Sequence, residues 1–209
     1  MTKIKFYKVD GTYGFLSNFA PYPIFINGER WHTVEHFFQA NKFEDKTLQE
    51  KIRSLDSPMK AAIEGRNRQN KIRADWDLVK EEIMLEALMI KFLQYPKLKI
   101  ELLKTGNAII IEHTSNDFYW ADGGDGTGKN RLGGLLMKVR DDINKISNDV
   151  ELVLPPWISF SNISQYDLFW RMGLGEGYLE QWFRYLSNID TIYYKFKFPE
   201  PKDWEGIYD

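Results

Sequence analysis

The chain has 209 residues, 43% hydrophobic and 28% charged, with a formal net charge of −2. That length and balance suit one domain with an appendage, or two small domains, and exclude a largely disordered chain. The absence of cysteine excludes disulfides, Cys-bound zinc and thiolate nucleophiles, and without a basic excess no broad nucleic-acid-binding face is expected.

The N-terminal residues Met1 to Lys8 lack the apolar run of a signal peptide. No segment approaches the roughly 20 apolar residues that span a bilayer. A cytoplasmic protein with no membrane partner is expected. Ile4 to Val9 alternates as a strand would, and Asp10-Gly11 marks a turn. Tyr22 to Ile26 is a second extended stretch, and Asn27-Gly28 is a hairpin signal with Glu29 to Trp31 returning. Thr33 is a good N-cap for a helix whose apolar positions are Val34, Phe37, Phe38 and Ala40. Ser57-Pro58 and Asp75-Trp76 open two more helices, the second stopped by Pro96. Leu98 to Leu103 reads as a short helix ended by Gly106, and Ala108 to Ile111 as a short buried strand. A Gly-rich loop spans Asp122 to Gly128, followed by an amphipathic helix over Leu132 to Ile146. Pro155-Pro156 then separates an aromatic-rich tail, in which Leu179 to Leu186 reads as a helix and Tyr193 to Phe198 as a strand.

Three constellations carry chemistry. His32-Thr33-Val34-Glu35-His36 has the H-x-x-E-H spacing of a zinc site. A zinc site needs both histidines on one helical face, and a Thr33 cap puts His32 before the helix, so no metal is expected. Glu35, Gln39 and Lys42 fall four and three residues apart, on one helical stripe in apolar surroundings. A lysine held there loses solvation of its charge, which frees the neutral amine as a nucleophile. Asn116 to Gly134 runs through the Gly-rich loop into a helix N-terminus, where the backbone N–H groups of Gly123 and Gly124 could meet phosphate oxygens. Lys129 and Arg131 add charge, Trp120 a flat surface for a base, and Asp122 a carboxylate. The closing Glu of a calcium loop is absent.

Several segments in order resemble the NADAR family over residues 6 to about 143. They are Gly14-Phe15-Leu16-Ser17-Asn18-Phe19, Thr33 through Phe43, Gly65-Arg66, Asp75-Trp76, Glu112-His113-Thr114, and Trp120 through Gly133. The resemblance implies a predominantly helical, YbiA-like α+β domain over residues 1–148, with residues 149–209 as an extension packed on it or a small accessory module. It implies an N-glycosidase that cleaves a ribose C1–N bond and needs no cofactor. Its substrate would be ADP-ribosylated guanine in nucleotides, DNA or RNA, or a ribosylamino-pyrimidine phosphate of riboflavin synthesis. An ADP-ribosyltransferase toxin would be a counterpart to the first of these, and the oligomeric state is left open. A non-catalytic ADP-ribose-binding module is the rival reading.

The family's residues map onto Glu35, Lys42, Trp120, Asp122 and Asn130, with Asn18 and Trp76 as companions. Glu35, Lys42 and Asp122 are the catalytic candidates, the acid–base roles of the two carboxylates being undivided. Asn18, Gln39, Arg66, Trp76, Trp120, Gly123, Gly124, Lys129, Asn130 and Arg131 are the substrate-binding candidates. The family pattern has Gly where this chain has Ala121, which would add a methyl beside the base platform.

Overall fold

The computed structural model describes residues 2–26, 28–147, 153–189, 194–195 and 197–208, and it divides into two units, Met1–Lys145 and Ile146–Asp209. The first unit holds, in chain order, β1 (Lys3–Phe6), β2 (Ile24–Ile26), β3 (Glu29–Trp31), α1 (Val34–Ala40), α2 (Lys46–Arg53), α3 (Pro58–Gly65), α4 (Trp76–Gln94), α5 (Pro96–Lys104), β4 (Ile109–Glu112) and α6, which runs Arg131–Ser147. It is the predominantly helical α+β arrangement expected.

β1 is shorter than its alternating sequence, because its parallel partner β4 ends opposite Phe6, at Glu112. Ile4 and Phe6 of β1 point inward, and so does Ile110 of β4. β2 and β3 pair antiparallel, Ile24 against Trp31. Gly28 turns between them at φ 77°, a backbone state that only glycine takes readily, while Asn27 lies outside the described residues.

α1 is the hub. Thr33 caps it, its Oγ1 accepting the His36 N–H at 3.4 Å. Every residue from Val34 to Ala40 is buried, as in a helix surrounded by protein. α2, α3 and α4 pack against it. α2 is a helix the sequence patterning does not reveal: only Ile52 is buried, and it starts on the Asp45 side chain, which accepts N–H bonds from Thr47 and Leu48. α3 begins at Ser57-Pro58 as expected, α4 at Trp76, and α5 at Pro96, two residues before the expected start.

One buried residue fastens the loop between β1 and β2. Lys91 of α4 is fully buried, and its Nζ donates to the Phe15 and Ser17 carbonyls at 2.6 and 2.9 Å. Burial pushes its amine down to about 7. Lys91→Met keeps the length of the side chain but leaves the Phe15 carbonyl without a donor, while the Ser17 carbonyl keeps the Ala20 N–H at 3.2 Å. An unsatisfied buried acceptor costs about 1–3 kcal/mol, so a loss of roughly 1–3 kcal/mol is expected in denaturant unfolding. A variant as stable as wild type would show that the Phe15 carbonyl finds another donor.

The second unit contains α7 (Pro156–Ser159) and α8 (Gly173–Leu186), which starts six residues before the expected Leu179. Trp182, Leu186, Tyr194 and Phe198 form its core. Trp182 Nε1–H donates to Tyr194 Oη at 2.8 Å, and that hydroxyl donates to the Val153 carbonyl at 2.6 Å. The expected strand over Tyr193 to Phe198 is corrected: Tyr194 and Lys195 are helical, and the Phe198 N–H donates to the Tyr194 carbonyl at 2.9 Å. That bond brings Tyr194 and Phe198 onto one helical face of the core, where a strand would not; Tyr193 and Phe196 lie outside the described residues. Among the described residues no helix is long and apolar enough to cross a membrane.

Candidate active site

The buried polar residues of α1 define the site. Glu35 Oε1 accepts from Gln39 Nε2 at 2.6 Å, and the Glu35 N–H donates to the Asn18 carbonyl at 3.2 Å. Asn18 is buried, its Nδ2 directed at Met84 Sδ at 3.3 Å. Among the described residues the buried Asn18 Oδ1 and Gln39 Oε1 have no hydrogen-bond partner, which marks them as candidate acceptors for a bound ligand. Gly65 lies so close to Gln39 that a Cβ there would overlap its amide, so glycine is required for α3 to approach α1.

Lys42 does not sit on α1. The helix ends at Ala40 with Asn41 as C-cap, and a tight turn continues through the Lys42 N–H to Gln39 carbonyl bond at 3.4 Å. The turn still carries the amine back over the helix, where its Nζ donates to the Gly65 carbonyl at 3.2 Å. It lies 5.9 Å from the Phe38 ring centroid and 5.8 Å from that of Trp76. Burial lowers the Lys42 pKa, against the pull of Glu35. Burial raises that of Glu35, against the Gln39 hydrogen bond and the Lys42 charge. Arg66, exposed at the end of α3, acts electrostatically on both. Lys42 is thus the easier to deprotonate and Glu35 the easier to protonate.

The Gly-rich segment reaches the same place from the other side. Phe38 of α1 stands between Trp76, 5.1 Å away between ring centroids, and Trp120, 5.3 Å away at 86°. Trp120 is half-buried, and its N–H and that of Tyr119 both donate to Asp117 Oδ1 at 2.7 Å. Asp122 is buried. Burial works to raise its carboxyl, but the His113 Nδ1–H bond at 2.8 Å and the Gly124 N–H bond at 2.9 Å outweigh it and hold the group below the usual carboxylate range. Glu112, at the end of β4, is affected by Asp117, Glu35 and Asp122 together. The structure therefore brings Glu35, Gln39, Lys42, Asn18, Arg66, Trp76, Trp120 and Asp122 into one neighbourhood.

Other expected residues are committed elsewhere. A phosphate cradle needs free N–H groups, and those of this loop are used internally. Gly123 donates to the Asp117 carbonyl, Gly124 to Asp122 Oδ1, Gly126 and Gly128 to the Asp122 carbonyl, and Lys129 to the Phe118 carbonyl. Asn130, at φ 49°, accepts the Glu112 N–H at 3.0 Å on Oδ1 and donates to the Ile110 carbonyl at 2.8 Å through Nδ2. It extends the edge of β4 and has little left for a ribose. Arg131 pairs with Glu81 of α4, which also accepts the Tyr119 hydroxyl at 2.5 Å. Arg131, the larger cause, and Tyr119 hold Glu81 at about 2. Lys129 is exposed, its Nζ 5.3 Å from the Tyr119 ring centroid. The Ala121 methyl is buried, so it does not stand in the open beside Trp120.

His36 is buried, its Nε2–H directed at the Leu55 carbonyl at 3.1 Å and its Nδ1 at the Thr33 hydroxyl at 2.9 Å; His32 precedes the cap. Asp117 and His113 are supports that sequence reading assigned no role. The signal for Asp117 was present, since an Asp two residues before an aromatic pair suits a side-chain turn.

The family model described as NADAR domain matches residues 5–144 of this chain. The chain belongs to the NADAR domain family. Among NADAR-type relatives, the N-glycosidase YbiA of Shigella sonnei is 51% identical over 142 residues, covering 68% of this chain and 89% of that protein. A riboflavin biosynthesis protein of Vibrio vulnificus is 41% identical over 142 residues, 68% of this chain but 39% of that longer protein. The NMR structure of the E. coli protein YbiA superposes with a TM-score of 0.67 at 48% identity, over 71% of this chain and 88% of that one. The match to the NADAR domain stops at residue 144, so the second unit lies outside it.

Proposed function

We propose that this NADAR protein, a hydrolase of N-glycosyl compounds, releases ADP-ribose from guanine by cleaving the ribose C1′–N bond, in nucleotides or in DNA or RNA. The observation that carries the reading is the pairing, on and just after one buried helix, of a carboxylate (Glu35) with a desolvated amine (Lys42), faced by Trp120 and Trp76. A bare binding module has no use for an amine whose charge is disfavoured. The indoles offer surfaces for a base, and the unpartnered Asn18 and Gln39 oxygens suit ribose hydroxyls. A cavity of about 330 Å³ beside β1 is lined by Lys5 and Lys8, and Lys5 acts on Asp122. Phosphate carried on the ribose suits that side.

When the C1′–N bond breaks, its electron pair leaves with the base, which takes up a proton, and positive charge develops at C1′. Glu35 and Asp122 stabilise that charge. Water then adds to C1′ directly, or Lys42 intervenes. In the amine route the ring oxygen takes a proton as the ring opens, and Nζ bonds C1′ as an iminium. Water adds to the iminium carbon, and the amine is released. Residues 1–148 carry this chemistry, with residues 149–209 as an accessory module. A cysteine-free chain fits the cytoplasm, where an ADP-ribosyltransferase toxin would supply the modified guanine.

A second reading follows from the Vibrio relative's name: a ribosylamino-pyrimidine phosphate as substrate. Incubating the protein with ADP-ribosyl-guanosine and with such a phosphate, and following base release by chromatography, decides between them. Faster release of guanosine, with ADP-ribose as the other product, is expected. Faster release of the pyrimidine selects the second reading, and tight binding without release of either overturns both.

A further inference from the structure

We infer that Glu112 is the acid that protonates the departing base. Its backbone is held on both sides: the N–H donates to Asn130 Oδ1 at 3.0 Å, and the carbonyl accepts the Asp122 N–H at 2.9 Å. Two residues earlier on the same strand face, Ile110 is fully buried. Alternation along the strand therefore sends the Glu112 side chain inward at the end of the two-stranded sheet, into the group formed by Glu35, Asp117 and Asp122.

The four carboxyls are not equivalent. Asp117 accepts two backbone N–H bonds, Asp122 accepts from His113 and Gly124, and Glu35 accepts from Gln39 and faces Lys42 and Arg66. The contacts on Asp122 and on Glu35 favour the ionised form. Among the described residues no hydrogen bond or ion pair reaches the Glu112 carboxyl oxygens. The charged groups that act on it are Asp117, Glu35 and Asp122, all acids; Lys42 and Arg66 act on Glu35, and Lys5 and His113 on Asp122. Burial first, then those three carboxylates, push Glu112 up to about 7. It carries its proton near neutrality beside Asp122, whose carboxyl is held below the usual carboxylate range, a division that acid–base catalysis on a carboxylate pair requires.

The step balances simply. The C1′–N electron pair goes to the base nitrogen, and the Glu112 carboxyl proton goes to the base. Glu112 is left as a carboxylate, to be reprotonated from solvent, and C1′ is captured by water or by Lys42. The shared Glu112–Asp122 backbone bond keeps proton donor and charge-stabilising carboxylate on one rigid unit. This assignment rests on the N-glycosidase reading and not on which base is released.

The test is kcat/KM against pH for wild type, Glu112→Gln and Glu112→Asp, on ribosides that differ only in how readily the base leaves, with folding checked by thermal melts. Wild type is expected to lose activity on the alkaline side with an apparent pKa of about 7. Glu112→Gln should lose about 10²–10³-fold on poor leaving bases, lose that alkaline limb, and lose little on the best leaving base. Glu112→Asp should restore part of the limb. A Glu112→Gln enzyme with the wild-type limb and leaving-base dependence overturns the inference. Should Glu112→Gln not fold, a carboxyl NMR titration of Glu112 in the wild-type protein stands in. A midpoint near neutrality supports the assignment, and one in the ordinary carboxylate range overturns it. If ADP-ribosyl-guanosine is not turned over but the pyrimidine ribosides are, the substrate reading falls while the test of Glu112 stands.

Discussion

Glu35→Gln should reduce kcat by about 10³-fold while changing KM little. The substitution keeps the shape of the side chain and its partner Gln39 but removes the charge that meets the developing cation, an interaction made mainly in the transition state. Stability should not fall, because a buried carboxylate is replaced by a neutral amide; thermal melts at neutral pH check this. The pH profile carries a second signature. Glu35 holds the Lys42 amine up against the lowering effect of burial. Without that charge the Lys42 pKa drops further, so the acid limb of the remaining activity should move to lower pH. A variant with kcat within about tenfold of wild type and an unmoved limb would remove Glu35 from the chemistry.

Lys42→Met should reduce turnover by at least about 10³-fold if the amine bonds to C1′. Methionine fits beside Phe38 and Trp76 and keeps the apolar bulk, so the loss reports chemistry and not packing. The sign of the pH effect follows from protonation. Below its lowered pKa the amine is an ammonium with no lone pair, so activity should fall as pH falls. Borohydride added during turnover should fix a ribose-derived mass on the wild-type chain and none on Lys42→Met. Wild-type protein that takes up no such mass, with Lys42→Met still turning over, would leave direct attack by water as the route. Together with Glu112 on the alkaline side, the expected profile is bell-shaped.

α1 was legible because a threonine cap and helically spaced apolar residues act locally. The hairpin was legible because two turn residues determine it. The grouping of Glu35 with Lys42 was legible in outcome but not in cause, since Lys42 lies beyond the helix end and is returned by a turn. α2 was hidden because its single buried residue, Ile52, leaves no apolar stripe. The aromatic alternation of the tail misled because the same rings also satisfy a four-residue helical spacing around Trp182. The Gly-rich loop misled for a related reason. Glycines at positive φ, such as Gly123 against the Phe118 ring, serve the loop's own hydrogen bonds as readily as a ligand's. Glu112 could not be singled out from sequence, because its environment consists of carboxylates brought from α1 and from the loop after β4.

The parallel pairing of β1 with β4 has a consequence during synthesis. The strand that seats Glu112 and leads to Trp120 emerges about a hundred residues after its partner, which at roughly 5–20 residues per second is on the order of ten seconds of elongation. Until then the nascent chain has an unpaired N-terminal strand and an α1 with no opposing wall. The early segments must stay soluble without that closure, and competence for hydrolysis arises only when the two distant ends of the domain meet.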